Sequence, residues 1–355
     1  MNNIRENDII ILIGAGCSKE AGIPTSIDMI KEIEQLIKQD EEWAKYKELY
    51  YFLKSSILYS DGLKGNYEEN LNIERLINTL NELEKKEEHP IFPFIGNWNS
   101  KVVELCGNNF DEIKKFKKII LDKLKNWVTL DDYSKANYYQ YFFEFQKQLE
   151  FPLRIFSLNY DLCLEKNNNQ DNFTIESGFD EQRKWQWQRF EKNENMPVNI
   201  YFYKMHGSIN WKRNQDGFLT FSDEVNQIME PDLIFGTNYK LQYTDPYLFY
   251  AYEFRKYSLD SILIITIGYS YSDEHINGII GQALKSQKDK KILINLFEQN
   301  KKEDEIKNII EKKLNTNSKQ IIIKNQKASE FLKNVLKIKE LENFVSQETE
   351  FDKDS

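Results

Sequence analysis

The chain has 355 residues and a mass of 42.4 kDa, enough for about two domains or for one large domain carrying an insertion. With 40% hydrophobic and 30% charged residues it can bury a core, which excludes wholesale disorder. A net charge of −9 argues against direct nucleic-acid binding, and the absence of a bilayer-length apolar run or a basic leader predicts a cytoplasmic protein with no membrane segment.

Residues 8–13 are a nearly continuous β-branched run and predict a strand buried on both faces, ending in the tight turn Gly14-Ala15-Gly16. The stretch 28–150 is different. Ile27, Ile30, Ile33 and Ile37, then residues 72–80, then Ile113, Phe116, Ile120 and Leu124 repeat at helical spacing. The aromatic segment 138–143 predicts a helix buried between layers, with an oligomer or partner surface as the alternative. Strand-like runs return at Leu153–Ser157, Ile200–Met205, Leu233–Phe235, Ser261–Ile267, Lys291–Leu296 and Gln320–Lys324. The polar stretch 166–199, with Asn167-Asn168-Asn169 and Trp185-Gln186-Trp187, predicts a long loop or small insertion. Ile306, Ile309, Ile310 and Leu314 share one helical face, as do Phe331, Leu332, Val335 and Leu336. The acidic tail 341–355 is expected to fray. Strands alternating with helices predict a parallel α/β sheet. The expected organisation is a sheet domain from 1–27 and 151–340, a helical insertion over 28–150, and the tail.

Three cysteines, at 17, 106 and 163, with no Cys-x-x-Cys pair, exclude a disulfide framework and a four-cysteine zinc site; no metal is expected. The only imidazoles are His89, His206 and His275.

Four motifs sit just past predicted strands. Gly14-Ala15-Gly16-Cys17-Ser18, with Gly22-Ile23-Pro24 beyond it, allows backbone to approach a nucleotide-like anion, or forms a structural turn. Lys19 replaces the third glycine of the usual dinucleotide fingerprint, and no Gly-Lys-Ser/Thr is present, which argues against a plain dehydrogenase and a P-loop ATPase. Ser157-Leu158-Asn159-Tyr160-Asp161 brings an amide and a carboxylate that can hold sugar hydroxyls, or can cap a helix. His206-Gly207-Ser208 places a lone imidazole at a strand end, as a base or as a structural histidine. Gly268-Tyr269-Ser270-Tyr271-Ser272-Asp273-Glu274-His275 opens a helix, with Ser272 or Asp273 as its cap and His275 in its first turns; Asp273 and His275 are also secondary candidates for the site, His275 as the alternative base to His206. The common placement is informative, because open α/β sheets bind ligands at the carboxyl ends of their strands.

Together these residues resemble the sirtuin family, through Gly14-Ala15-Gly16-x-Ser18, Gly22-Ile23-Pro24, Asn159-x-Asp161, His206-Gly207 and Gly268-x-Ser270. The implied fold is a Rossmann-like parallel sheet of the sirtuin type with a large helical insertion and no zinc module. The departures matter. The four cysteines of the deacylase zinc module are missing, and Thr25-Ser26-Ile27 replaces the acidic-Phe-Arg that follows Gly-Ile-Pro in deacylases. Asn-Tyr-Asp, His-Gly-Ser-Ile-Asn-Trp and Gly-Tyr-Ser-Tyr-x-Asp-x-His-Ile-Asn look like the sirtuin-like branch of bacterial anti-phage systems. That resemblance implies hydrolysis of NAD+ to nicotinamide and ADP-ribose, depleting the cell of NAD on infection. It also implies a homo-oligomer and a second protein such as a HerA-type ATPase, through which any nucleic acid would be engaged. It assigns His206 as general base and Asn159 as the residue orienting water or ribose. Asp161 would meet the nicotinamide carboxamide, Gly14, Ala15, Gly16 and Ser18 the pyrophosphate, and Gly268 and Ser270 the adenosine side. A protein deacylase, or a non-catalytic NAD or ADP-ribose sensor, are the competing readings.

Overall fold

In the computed structural model, the apolar run Ile9–Ile13 is β1, with all five residues buried. The structure describes residues 4–65, 70–85, 100–107, 110–168, 173–191, 197–228, 230–235 and 244–345. The other strands of the main sheet are β2 (Leu153–Ser157), β3 (Ile175–Glu176), β4 (Ile200–Lys204), β7 (Leu263–Ile267), β8 (Lys291–Asn295) and β9 (Ile321–Lys324). β5 (Trp211–Arg213) and β6 (Leu219–Phe221) form a separate antiparallel pair. The seven-stranded sheet runs β3-β4-β2-β1-β7-β8-β9, and every pairing in it is parallel. Strands covered on both faces are mostly apolar, and β1, β2, β4 and β7 are buried at every position, with Arg154, Ser157, Lys204 and Thr266 as buried polar members.

This order fixes the site. The chain leaves β1 for β2 and β4 on one side, then returns to β7 on the other side of β1. The carboxyl ends of β1, β2 and β7 therefore flank a topological switch point, where adjacent loops diverge and leave a crevice. One face of the sheet packs under the helix Tyr247–Asp260. Phe156 stacks on Tyr203 with ring centroids 4.4 Å apart, and Phe254 meets Phe156 edge-on at 5.0 Å.

The chain divides into two compact units, Met1–Ile23 with Thr129–Ser355, and Pro24–Val128. The second unit is helical over its described residues. Its first helix, Ser26–Gln39, starts at a capping box in which the Thr25 side chain and the Asp28 side chain satisfy each other's backbone N–H. Its core includes Ile33, Leu76, Leu80, Phe116, Ile120 and Leu124, all fully buried. Ile27 differs from the expected apolar face: it is 40% exposed in the first turn, and Met29 takes the buried place. Ile309 likewise faces solvent.

Residues 129–150 cluster with the sheet. The aromatic segment there forms the turn Tyr133–Tyr139 and the helix Gln140–Gln146, with Tyr139, Phe142, Phe143 and Phe145 fully buried. The run Leu233–Phe235, expected as a strand, joins no sheet; Leu233 makes one isolated bridge to Gly207. The stretch 166–199 holds the two-residue edge strand β3, and Trp185 donates its indole N–H to the Tyr250 hydroxyl at 2.8 Å. The second apolar helix face is split, because the helix Ala328–Asn334 ends before Val335. Residues 341–345 close the helix Ile338–Val345, whereas 346–355 of the expected frayed tail lie outside the described residues, as do His89 and Asn169.

Candidate active site

Three glycines interlock at the switch point. Gly14 and Gly16 donate their N–H groups to the carbonyls of Ile267 and Gly268, at 3.0 and 2.9 Å. A Cβ on Gly16 would meet Gly268 backbone at 2.8 Å, and one on Gly268, where φ is +65°, would meet the Cys17 nitrogen at 2.1 Å. Only glycines allow β1 and β7 to end this close together. Cys17 and Ser18 donate to the carbonyls of Gly14 and Ala15. Among the described residues, the Ala15 N–H is then the one amide of residues 14–18 without a protein acceptor.

Ser18 is fully buried and sits at the centre of a network. Its hydroxyl donates to Asp161 Oδ2 at 2.7 Å and accepts from Asn159 Nδ2 at 3.1 Å. With its one proton on Asp161, the 2.7 Å contact to the Tyr139 hydroxyl must be donated by Tyr139. Asp161 Oδ1 accepts the Cys163 N–H at 2.9 Å. Each carboxylate oxygen thus carries one bond within the fold, and the Ser18 hydroxyl carries three. The pyrophosphate contact expected of Ser18, and the carboxamide contact expected of Asp161, find those atoms turned inward and already bonded. Burial raises the Tyr139 hydroxyl well above its ordinary range and keeps it a donor. Burial also pushes the Cys17 thiol up to about 12, so it is no nucleophile at neutral pH.

Asn159 spends both amide protons, on Gly14 O and Ser18 Oγ at 3.1 Å each. Its Oδ1 is buried without a partner. The loop carrying Asn159 is held from below by Lys204, a buried lysine at the end of β4. Lys204 Nζ donates to the carbonyls of Tyr160 and Asp161 and pairs with Glu165 at 3.0 Å. Burial raises the Glu165 carboxyl, and the Lys204 ammonium opposes that shift.

His206 stands two residues beyond Lys204, as Asn159 stands two beyond Ser157, and Ser157 and Lys204 are paired in register. Its exposure is 3%. Gly207, at φ +84°, is clamped so tightly that a Cβ would meet the Asp232 carbonyl at 2.1 Å. The His206 carbonyl accepts the Ile234 N–H at 3.0 Å, so the run 233–235 serves as a strap on this corner. His206 Nε2 lies 3.4 Å from Asp273 Oδ2, and neither ring nitrogen has a hydrogen-bond partner.

Asp273 caps the helix Glu274–Ser286 through Oδ1, which accepts from the N–H groups of His275 and Ile276. Ahead of it, the Tyr269 hydroxyl bonds to Asn277 Oδ1 at 2.8 Å, and Tyr271, at φ +57°, is held by Asn277 through its carbonyl at 2.9 Å. Ser270 projects outward, 3.0 Å from Ser272. His275 is not part of this cluster: it lines a groove of about 380 Å³ between the helices Tyr247–Asp260 and Glu274–Ser286, beside Leu248, Tyr252 and Arg255.

The structure therefore joins Gly14, Gly16, Ser18, Asn159, Asp161 and Gly268 through direct contacts, and His206 to Asp273. It also brings in Tyr139 and Lys204, to which the sequence motifs assigned no role. Lys204 carried a signal, a charge closing an otherwise apolar double-buried strand. Tyr139 carried none, since its segment read as packing. Among the described residues no cluster of three or more His, Cys, Asp or Glu side chains could hold a metal, and no helix is long and apolar enough to cross a membrane.

Residues 153–319 match the SIR2-like domain family model. The chain is similar to a solved mutant Sir2 homologue in complex with 2'-O-acetyl ADP ribose, at 13% identity over 96% of this chain and 94% of that one, with a TM-score of 0.43. It is also similar to a Sir2 homologue in complex with NAD, at 13% identity over 95% and 90% of the two chains, with a TM-score of 0.42. No curated protein matches it.

Proposed function

We propose that this sirtuin-like α/β chain is an NAD+ hydrolase that releases nicotinamide and ADP-ribose. The observation that carries the reading is a pair of buried, unpartnered polar atoms, Asn159 Oδ1 and His206 Nδ1, on neighbouring strand ends beside the switch point. Buried polar atoms without partners are costly in a finished structure, and a substrate that supplies the partners resolves the cost. The SIR2-like match supports NAD as that substrate, and the Ala15 N–H is free to meet a phosphate oxygen.

NAD+ supplies a leaving group that departs neutral from a cationic glycoside, so strong acid catalysis is unnecessary. His206 takes the proton of the attacking water, whose oxygen bonds to the ribose carbon as the bond to nicotinamide breaks. A general base of this kind is worth roughly 10²–10⁴ in rate. Asn159 Oδ1 accepts from the water or from a ribose hydroxyl and fixes its approach. Ser18, Asp161 and Tyr139 act through Asn159, holding its amide in place. The chain has three separated cysteines where a deacylase needs four for its zinc module, which favours hydrolysis over acyl transfer. By resemblance, the same reading makes the protein a cytoplasmic, oligomeric anti-phage effector working with a HerA-type ATPase.

The test is nicotinamide release from NAD+ by the full chain, alone and with its partner ATPase, with and without an acyl-lysine peptide. Release independent of the peptide is expected, and Asn159→Ala and His206→Ala should each remove most of it while staying folded. A strict peptide requirement would move the assignment to deacylation, and binding without turnover to a sensor.

A further inference from the structure

We propose that Asp273 is the positioning residue of His206. Its carboxylate keeps the ring proton on Nε2, leaves Nδ1 as the proton-accepting atom, and stabilises the imidazolium formed when His206 takes a proton. The inference rests on the reading of His206 as the base.

The carboxylate bridges two elements. Oδ1 is committed to the N–H groups of His275 and Ile276, at 3.0 and 3.3 Å, while Oδ2 faces Nε2 at 3.4 Å. Both side chains are 4% exposed. The Tyr269 hydroxyl shares its proton between Asn277 and, more weakly at 3.1 Å, the Asp273 carbonyl, and the clamped Gly207 fixes the imidazole from the other side. Capping alone does not call for a carboxylate here, because Asn or Ser caps as well. A carboxylate 3.4 Å from a buried imidazole puts a counter-charge in place for the imidazolium. Among the described residues Asp273 is the one carboxylate within 4.0 Å of the ring. The neighbouring charged groups are occupied elsewhere: Asp161 on Ser18 and Cys163, Lys204 on Glu165, and Asp232 on Tyr247 and Arg213. Apo contacts of this kind are commonly long and tighten in the complex.

The arrangement makes Asp273→Asn discriminating. The cap needs an oxygen at Oδ1, so the amide NH₂ must face His206. An NH₂ donates, which forces Nε2 to accept and moves the ring proton to Nδ1, the atom that must act as base. The experiment is ¹⁵N NMR of the imidazoles, countable because the chain has three histidines, with His206 identified by its loss in His206→Gln. Steady-state nicotinamide release is measured in parallel. The wild type should show the Nε2–H tautomer and Asp273→Asn the Nδ1–H tautomer, with kcat down about 10²-fold or more and KM within about threefold. Asp273→Ser, which caps but offers the ring no partner, should give mixed tautomers and a similar fall in kcat. An unchanged tautomer in both variants, or kcat retained in Asp273→Asn, overturns the proposal and leaves Asp273 a helix cap. A wild type that releases no nicotinamide counts against the hydrolase reading instead, and the tautomer then decides the pairing alone.

Discussion

Ser18→Ala separates two accounts of the glycine loop. If Ser18 contacted the pyrophosphate, the change would weaken NAD binding and leave the fold intact. The structure implies the reverse. The variant removes one donor and two acceptor contacts, at 2.7, 2.7 and 3.1 Å, and leaves Asp161 Oδ2, the Tyr139 hydroxyl and one Asn159 proton unmatched in a buried space. A hydrogen bond to a charged group is worth about 1.5–3 kcal/mol, and each stranded neutral group costs about 1–3 kcal/mol. Tyr139 and Asn159 can shift toward the freed carboxylate and recover part of that. A net loss of about 3 kcal/mol follows, a large share of a typical ~5–15 kcal/mol. Equilibrium urea denaturation, followed by circular dichroism and tryptophan fluorescence, measures it. Tyr139→Phe alone should cost about 1 kcal/mol, and the double variant should fall short of additivity by about as much, since the two residues share one bond. A Ser18→Ala protein within about 0.5 kcal/mol of wild type, with NAD affinity weakened tenfold, would refute the network and restore the phosphate role.

Two further outcomes follow from the geometry. Gly268→Ala should cost more than about 3 kcal/mol and abolish nicotinamide release, because its Cβ would lie 2.1 Å from backbone. Gly217→Ala, also at positive φ (+81°) but with open space around it, should cost only the backbone penalty of about 1–2 kcal/mol. Equal losses in the two would show that conformation, not the close approach, is the constraint. Lys290 is buried against the carbonyls of Ser258, Leu259 and Ser261, and burial pushes its ammonium down to about 8, with Asp260 opposing. Between pH ~8 and ~10.5 the unfolded chain keeps that proton while the folded chain has lost it, so this residue makes stability rise with pH across the window. The stability of wild type relative to Lys290→Met should climb from pH 7.5 to pH 10; a flat difference would refute the shift.

The strands were legible because double burial leaves a nearly continuous apolar run, as in Ile9–Ile13 and, with only Thr266 interrupting, Leu263–Ile267. Leu233–Phe235 has the same composition yet straps the His206 corner, since a three-residue run carries no period to distinguish a strand from a clamp. β3 is two residues long and left no pattern. Within the site, Asn159, His206 and Gly268 were visible through their placement after strands. The inward duties of Ser18 and Asp161 were not, because Ser18 meets partners 121 and 143 positions away and local sequence does not record long-range pairing.

The interlocked glycines also set an order of assembly. β1 is made first, yet its second neighbour β7 and the Gly268 corner arrive some 250 residues later. Until then β1 has one flank unpaired, and the crevice lacks its far wall. A chain still on the ribosome, or one truncated before residue 268, cannot close the turn that sets the Gly14 carbonyl under the Asn159 amide. Under the proposed activity, the power to consume a metabolite the whole cell shares would appear only after residue 268 has been made, and no fragment that stops short of it would carry it.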